Sequence, residues 1–257
     1  CETLGFGCMG PETVSLSFGT SATIQTTTRR YYEPIPFMPS YSSAVPHLYT
    51  PEVQVFRGYW MIRWFKQEFA HKEMLEAIEK DIPPEVLLNE RLTEVPPGSE
   101  GLILQPYWTP DLKNPEAKGA IIGFSDAHSR AHIYRAIIEG INFALIDGLE
   151  KIERVTKVRV RDIYVSGGGS QSDAICQITA DMFGRRVIKG ETYEAAGLGA
   201  CINAFVTLGY YRDHHEAIHH MVRYSQSFIP DEINHKIYKG LYEKVYKRIY
   251  GRLKDLY

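Results

Sequence analysis

No stretch of the chain approaches the roughly 18–20 consecutive apolar residues that a membrane-crossing helix needs. No basic segment followed by an apolar one opens it in the manner of a secretory signal. Cysteine is scarce: Cys1, Cys8, Cys176 and Cys201 show no C-x-x-C spacing and are too few for a disulfide framework. Neither sign of charge is in excess. The formal net charge of -2 offers no bulk electrostatic attraction for nucleic acid or for an anionic membrane surface. G-x-x-x-x-G-K-[ST] is also missing, which excludes a P-loop as a phosphate cradle. These absences point to a reducing, cytoplasmic setting without membrane or nucleic-acid partners. An initiating methionine is lacking too: the chain opens "CETLGFGCMG", and the expectation is a piece cut from something longer.

What is present is an ordinary globular composition over 257 residues, with 44% apolar and 23% charged side chains. That length bounds the answer to one large domain or two small ones, and no internal linker is visible. "TVSLSFGTSATIQTTT" at 13–28 is rich in β-branched and alternating residues around Gly19-Thr20 and reads as a β-hairpin. A Pro- and Tyr-rich loop at 31–51 precedes a strand at 52–58 and a helix at 59–81. Residues 95–125 carry two short apolar runs broken by proline turns. The longest central helix spans 128–154, where Ile133, Ile137, Ile138, Ile141, Ala144, Leu145 and Leu149 recur at helical spacing. Strand "VRDIYVSG", helix "SDAICQITADMFG", strand "RRVIKG" and helix "TYEAAGLGACINAFVTLGY" then alternate, which is the pattern of an α/β layer architecture. A last helix over 231–257 sets Tyr238, Tyr242, Tyr246 and Tyr250 four apart, a packing stripe.

Several constellations bear on chemistry. "GFGCMG" (Gly5, Gly7, Gly10) matches G-x-G-x-x-G formally, but it follows no strand and is closed by Pro11, so it reads as loop. Gly19, Thr20 and Ser21 at the hairpin tip would offer backbone N–H groups and two hydroxyls to an anion, or form a plain hairpin turn. Gly167, Gly168 and Gly169 follow a strand at the carboxyl end of the presumptive sheet, where ligands tend to sit. They form a tight strand–helix turn, or they let a flat ring or a phosphate reach the backbone. Ser170 or Ser172 would cap the helix that follows. Ala196, Ala200 and Ala204, with Gly197, make a small-residue face suited to close packing by another helix. His215 and His219 in "DHHEAIHHMV" stand at a spacing able to hold a divalent metal, but no third ligand is indicated and a solvated helix face is the simpler reading. His128 and His132 read as structural.

Taken in order, these segments resemble the C-terminal domain of the FGGY carbohydrate kinases, members of the actin-like ATPase superfamily. The family's "SLSxGTS" hairpin is matched at 15–21, and its "PYW…P.ARGAI.GL…H.RAH.YRA.LEGI.F.L" block at 106–108 and 118–145. "V.GGGA.S..W.Q..AD..G..V" is matched at 165–187, "E..ALGAA..A....G.Y" at 194–210, and "F.PD..NH..Y..LY..Y..LY..L" at 228–253. The resemblance implies an RNase-H-like, actin-like ATPase lobe over 1–257. Its sheet would be mixed, an antiparallel hairpin plus parallel strands, flanked by helices. It implies ATP with Mg2+ bound here, a small sugar or polyol held mostly by an N-terminal lobe outside this chain, and pairing into a homodimer as a possibility. It places Gly19, Thr20 and Ser21 on the nucleotide phosphates, Gly167, Gly168 and Gly169 along the adenosine, and Ser172 on the adenine or ribose.

The same resemblance puts the catalytic aspartate shortly before the segment matched by Leu4-Gly5-Phe6-Gly7, hence just upstream of Cys1. No catalytic residue is therefore expected within the chain; Glu2 is the only nearby carboxylate. A glycine that touches a phosphate in some members falls at Tyr59, so that contact is not carried over. The loop at 105–119 resembles glycerol kinases, whereas the "FIPDEINHKIYKGLY" tail resembles pentulose kinases. The implied activity is transfer of the ATP γ-phosphate to a hydroxyl of a small sugar or polyol, a pentulose such as xylulose or something glycerol-like, with the isolated chain inactive. The alternative is a non-catalytic actin-like nucleotide-binding or interaction module.

Overall fold

The computed structural model describes residues 1–110 and 114–257, so part of the glycerol-kinase-like loop at 105–119 lies outside the described residues. In chain order the strands are β1 (Thr13–Phe18), β2 (Ala22–Gln25), β3 (Tyr41–Ser42), β4 (Tyr49–Thr50), β5 (Glu52–Val55), β6 (Ile103–Gln105), β7 (Ala120–Ile122), β8 (Asp162–Ser166), β9 (Arg186–Gly190) and β10 (Tyr224–Phe228). The α-helices are α1 (Glu2–Gly5), α2 (Trp60–Phe69), α3 (His71–Lys80), α4 (Pro84–Glu90), α5 (Arg130–Thr156), α6 (Asp173–Phe183), α7 (Ala195–Thr207), α8 (His214–Met221), α9 (Glu232–Leu241) and α10 (Lys247–Leu253). No described helix is long and apolar enough to cross a membrane.

Six strands form the main sheet in the order β10-β9-β8-β1-β2-β5. The centre, β9-β8-β1, is parallel. The hairpin β1-β2 and then β5 continue it antiparallel on one side, and β10 closes the other. The mixed sheet expected from the sequence is thus present. Alternation along the strands gives the sheet two different faces. Val14, Leu16 and Phe18 register with Ile163 and Val165 and with Ala22 and Ile24, and all are buried in the main core. Ser15 and Ser17 face the other way, beside Tyr164, Ser166, Thr23 and Gln25.

The apolar face is covered by α5, a helix of 27 residues that is buried along most of its length. Its start is fixed by a capping box: Ser129 accepts from the His132 backbone while the His132 ring accepts from the Ser129 N–H at 3.1 Å. His132 and its neighbour His128, whose ring accepts from the Ser125 N–H at 2.8 Å, are thereby structural. Within α5, Arg135 donates to Glu139 at 2.7 Å, to the Leu92 and Val95 carbonyls, and to the Tyr238 hydroxyl at 2.8 Å. Glu139 also accepts from the Gly98 N–H at 3.0 Å and from Ser99 Oγ at 2.9 Å. Every member of this network is buried, so the charges are compensated by hydrogen bonding rather than by water.

Where the structure departs from the sequence pattern, the reasons are local. The helix expected over 59–81 is two, broken at Ala70 (φ -120°, ψ 34°). Arg130 of α5 donates to the Phe69 carbonyl at 2.7 Å, satisfying an acceptor that a continuing helix would have used itself. The helix expected over 231–257 contains a π-helical turn at Tyr242–Tyr246. That extra residue lets Tyr242 and Tyr246 both lie on Phe143, with ring centroids 5.9 and 5.1 Å away. Strand β10 was not expected: "YSQSF" has no apolar alternation, and as an edge strand it needs a partner on one side only. Helix α4 is seven residues long and starts on Pro84, a favourable first-turn residue but too brief a pattern to read as a helix.

The small-residue helix does pack against another helix, but by the opposite face from Ala196, Ala200 and Ala204, which are exposed. A Cβ on Gly199 would lie 1.9 Å from the Cys1 carbonyl oxygen, and one on Gly5 would lie 1.9 Å from that of Ala195. The two backbones touch, and Gly5, read as loop, belongs to the short helix α1. The buried ion pair generates a prediction. Glu139→Ala leaves the Arg135 guanidinium buried without its carboxylate, and urea unfolding should show a loss of about 3–5 kcal/mol.

Candidate functional site

The site is built where the β1-β2 turn meets the start of α2. The Tyr59 and Trp60 N–H groups, two of the donors a helix cannot satisfy internally, donate to the Gly19 and Thr20 carbonyls at 3.0 and 3.2 Å. The chains are close enough that a Cβ on Gly58 would stand 2.2 Å from the Ala22 nitrogen. With its carbonyls so engaged, the turn presents its opposite edge: the N–H groups of Gly19, Thr20 and Ser21 donate to no other described residue. Thr20 is exposed, and Ser21 lies behind it against Gly58.

The glycine triplet follows β8 directly, and its three members do different work. Gly167 has φ +80°, and an added Cβ would fall 2.9 Å from the Phe18 carbonyl, so both its conformation and its space demand glycine. Gly169 faces the Tyr59 ring, which a Cβ would meet at 2.3 Å. Gly168 alone is exposed with nothing within 4 Å of an added Cβ. Two of the three glycines clear space for the protein itself, and only Gly168 opens onto solvent. Ser170 Oγ donates to the Gly167 carbonyl at 2.7 Å, and Ser172 is the cap of α6, its side chain accepting from the Ile175 N–H. Of the two serines offered as caps, Ser172 fills the role.

These pieces border one open cleft of about 960 Å³. Gly19, Thr20, Gly168, Gly169 and Ser172 line it, whereas Ser21 and Gly167 stand behind its wall. The opposite wall comes from α2 and α4, through Tyr59, Trp60, Arg63, Val86 and Asn89, with Tyr134 of α5 beneath. Nothing in the residue types of 84–90 marked α4 as a wall, although the four-residue spacing of Tyr59 and Arg63 on a helix would have paired them on one face. The Tyr59 ring packs on Phe18 at 4.8 Å, its hydroxyl is buried without a partner among the described residues, and burial drives its pKa well up. Cys176, buried behind the turn, has its thiol pushed up to about 12 by burial and is inert as a nucleophile at neutral pH.

The cleft is electrostatically polar. Arg63 is exposed and pairs with no carboxylate among the described residues. Glu85 is paired with Lys66, and Glu90 lies one helical turn further along α4. At the other end, the N-terminus of α6 favours negative charge. Glu2 borders none of this space: Gln25 donates to it at 3.0 Å, Ser166 Oγ donates to its other oxygen, and burial raises its pKa. Among the described residues no three His, Cys, Asp or Glu side chains come together as a metal site. His215 and His219 are exposed on α8. Chemically, the cleft offers amide donors and a hydroxyl at one end and a slot with apolar walls at the other. Among the described residues no free carboxylate stands beside the turn.

The family model for the C-terminal domain of the FGGY family of carbohydrate kinases matches residues 14–208. An "uncharacterized sugar kinase YgcE" of Escherichia coli is 32% identical over 238 residues, 92% of this chain and 48% of its own length. A xylulose kinase of Bacillus subtilis is 32% identical over 195 residues, 74% of this chain and 36% of its own. The crystal structure of a xylulose kinase from Rhodospirillum rubrum superimposes with a TM-score of 0.85 at 25% identity, covering 99% of this chain and 50% of that one. The chain spans about half the length of the relatives it matches.

The division of labour among the glycines is open to test by thermal melts. Gly168→Ala should leave stability within about 0.5 kcal/mol, as surface changes do. Gly169→Ala, which must push a ring held by Phe18, should cost about 1–3 kcal/mol. Gly167→Ala should cost at least as much as Gly169→Ala, since crowding adds to a positive φ.

Proposed function

The chain belongs to the FGGY family of carbohydrate kinases, and on that premise we propose that residues 1–257 form the ATP-binding lobe of an enzyme that phosphorylates a hydroxyl of a small sugar or polyol. The observation that carries this reading is the convergence of the Gly19-Thr20 turn, the exposed Gly168 and the capped start of α6 on one cleft. Phosphoryl transfer needs little covalent chemistry from the protein; it needs the phosphates placed and their charge met. The turn supplies backbone donors and the Thr20 hydroxyl. The helix N-terminus supplies a favourable dipole. Backbone groups pre-set by packing cost no reorganisation when charge moves during the reaction.

Mg2+ fits this arrangement as the nucleotide's own counterion. It retains much of its water and binds phosphate oxygens readily, with one or two protein ligands at most. Thr20 is the exposed hydroxyl at that end of the cleft. The sugar and the base that takes its proton are proposed to come from sequence outside these 257 residues; Glu2 does not line the cleft, and its oxygens accept from Gln25 and Ser166. Xylulose and related pentuloses are the acceptors to try first.

Calorimetric titration with MgADP tests the reading. The parent chain should bind, and Gly168→Val, which adds bulk on the cleft lining where an added Cβ has nothing of the protein within 4 Å, should not. Equal binding by the two, or none by the parent, would overturn it. A coupled assay of the chain with ATP and xylulose should register no ADP release, and sustained turnover would show that the base lies within these residues.

A further inference from the structure

We infer that Asn89 is the residue of the cleft that recognises the nucleobase, and that Tyr134 is the residue that positions it. The inference rests on the nucleotide reading above and adds an orientation and a specificity contact. Orientation comes first. The α4 wall of the cleft carries Glu85 and Glu90, unfavourable ground for a polyphosphate, while Arg63, unpaired among the described residues, stands on α2, one turn beyond Tyr59 and its bond to the Gly19 carbonyl. The other end carries the Gly19-Thr20 donors and the α6 N-terminus. A nucleotide therefore lies with its phosphates at the turn and its neutral ring toward α4. There Val86 of α4 provides an apolar wall.

Asn89 stands at that end with its amide already oriented. Tyr134 is 1% exposed, and its ring is fixed against Phe65 at 5.3 Å between centroids. Its hydroxyl donates to Asn89 Oδ1 at 2.8 Å. The carbonyl side of the amide is thus occupied, and the Nδ2 side, which donates to no described residue, is left to the cleft. A neutral side chain whose oxygen already accepts from Tyr134 and whose two N–H donors have no described partner is set to meet an acceptor on a ring edge: a ring nitrogen or an exocyclic carbonyl oxygen of a nucleobase. A site built to donate one hydrogen bond discriminates strongly against a partner that cannot accept it.

Asn89→Asp is the discriminating variant, because the carboxylate still accepts from Tyr134 while the donor is replaced by a second acceptor. Ligand-observed NMR and calorimetry with MgADP and with adenosine should show both bound about 10–100-fold more weakly, the range expected when one buried donor is lost. Thr20→Val should weaken MgADP and leave adenosine unchanged, since adenosine has no phosphates. Tyr134→Phe leaves the amide free to rotate and should weaken both ligands by a smaller factor. It should also narrow the preference of the chain among MgADP, MgGDP, MgCDP and MgUDP, which a purely structural loss would not do. If Asn89→Asp binds adenosine as the parent does while Gly168→Val still abolishes binding, the cleft reading stands and the role of Asn89 is refuted. A loss confined to MgADP would place Asn89 at the phosphates and refute base recognition. Absence of any adenosine or MgADP binding by the parent removes the nucleotide reading and this inference together.

Discussion

The organising constraint of this molecule is the approach of three backbone segments to near contact at the end of β1. The hairpin turn at 19–21, the start of α2 at Gly58–Tyr59 and the turn at Gly167–Gly169 meet where a side chain on Gly58, Gly167 or Gly169 would have no room. Two hydrogen bonds, from Tyr59 and Trp60 to the carbonyls of Gly19 and Thr20, lock the first two segments together. Using the carbonyls inward leaves the amides of the turn facing out. The cleft's donors thus follow from how the hairpin is anchored, because a peptide whose C=O is tied to one side presents its N–H to the other.

Behind this junction lies α5, and α5 is held in place by polar as well as apolar means. Its buried Arg135 and Glu139 reach the loop at 92–99 and Tyr238 of α9, elements 40 to 103 residues away along the chain. A buried charge pair does not by itself favour the fold over an apolar equivalent. It does penalise alternative packings that would leave a charge unmet. The same helix supplies Tyr134, so the element that closes the core beneath the sheet also forms the floor of the cleft. Packing and site geometry are coupled through one rigid rod.

Charge and polarity are unevenly spread over the cleft. One end offers amides, a hydroxyl and a helix N-terminus; the other offers apolar walls, a pre-oriented amide and carboxylates. Such a gradient suits a ligand that is anionic at one end and a neutral heterocycle at the other. A free carboxylate beside the turn is not among the described groups. What the described residues offer beside the turn is placement and charge stabilisation.

Much was determined by local sequence. The hairpin at 13–28, the long helix at 130–156 and the β-α-β-α alternation from β8 onward are encoded by periodicity and turn residues, which act over a few neighbours. The glycine triplet and the Gly-Thr turn were legible as a candidate site because glycine at a strand–helix junction signals a special backbone or a close neighbour. What that neighbour would be was not legible. Tertiary structure decided that Gly167 and Gly169 make way for Phe18 and Tyr59 and that Gly168 alone opens outward. It also decided that α7 packs by Gly199 rather than by its alanines, and that α4 and Asn89 complete the far wall. Each of these depends on which segment arrives opposite, a contact between residues distant in the chain, and periodicity within one segment carries no record of its partner.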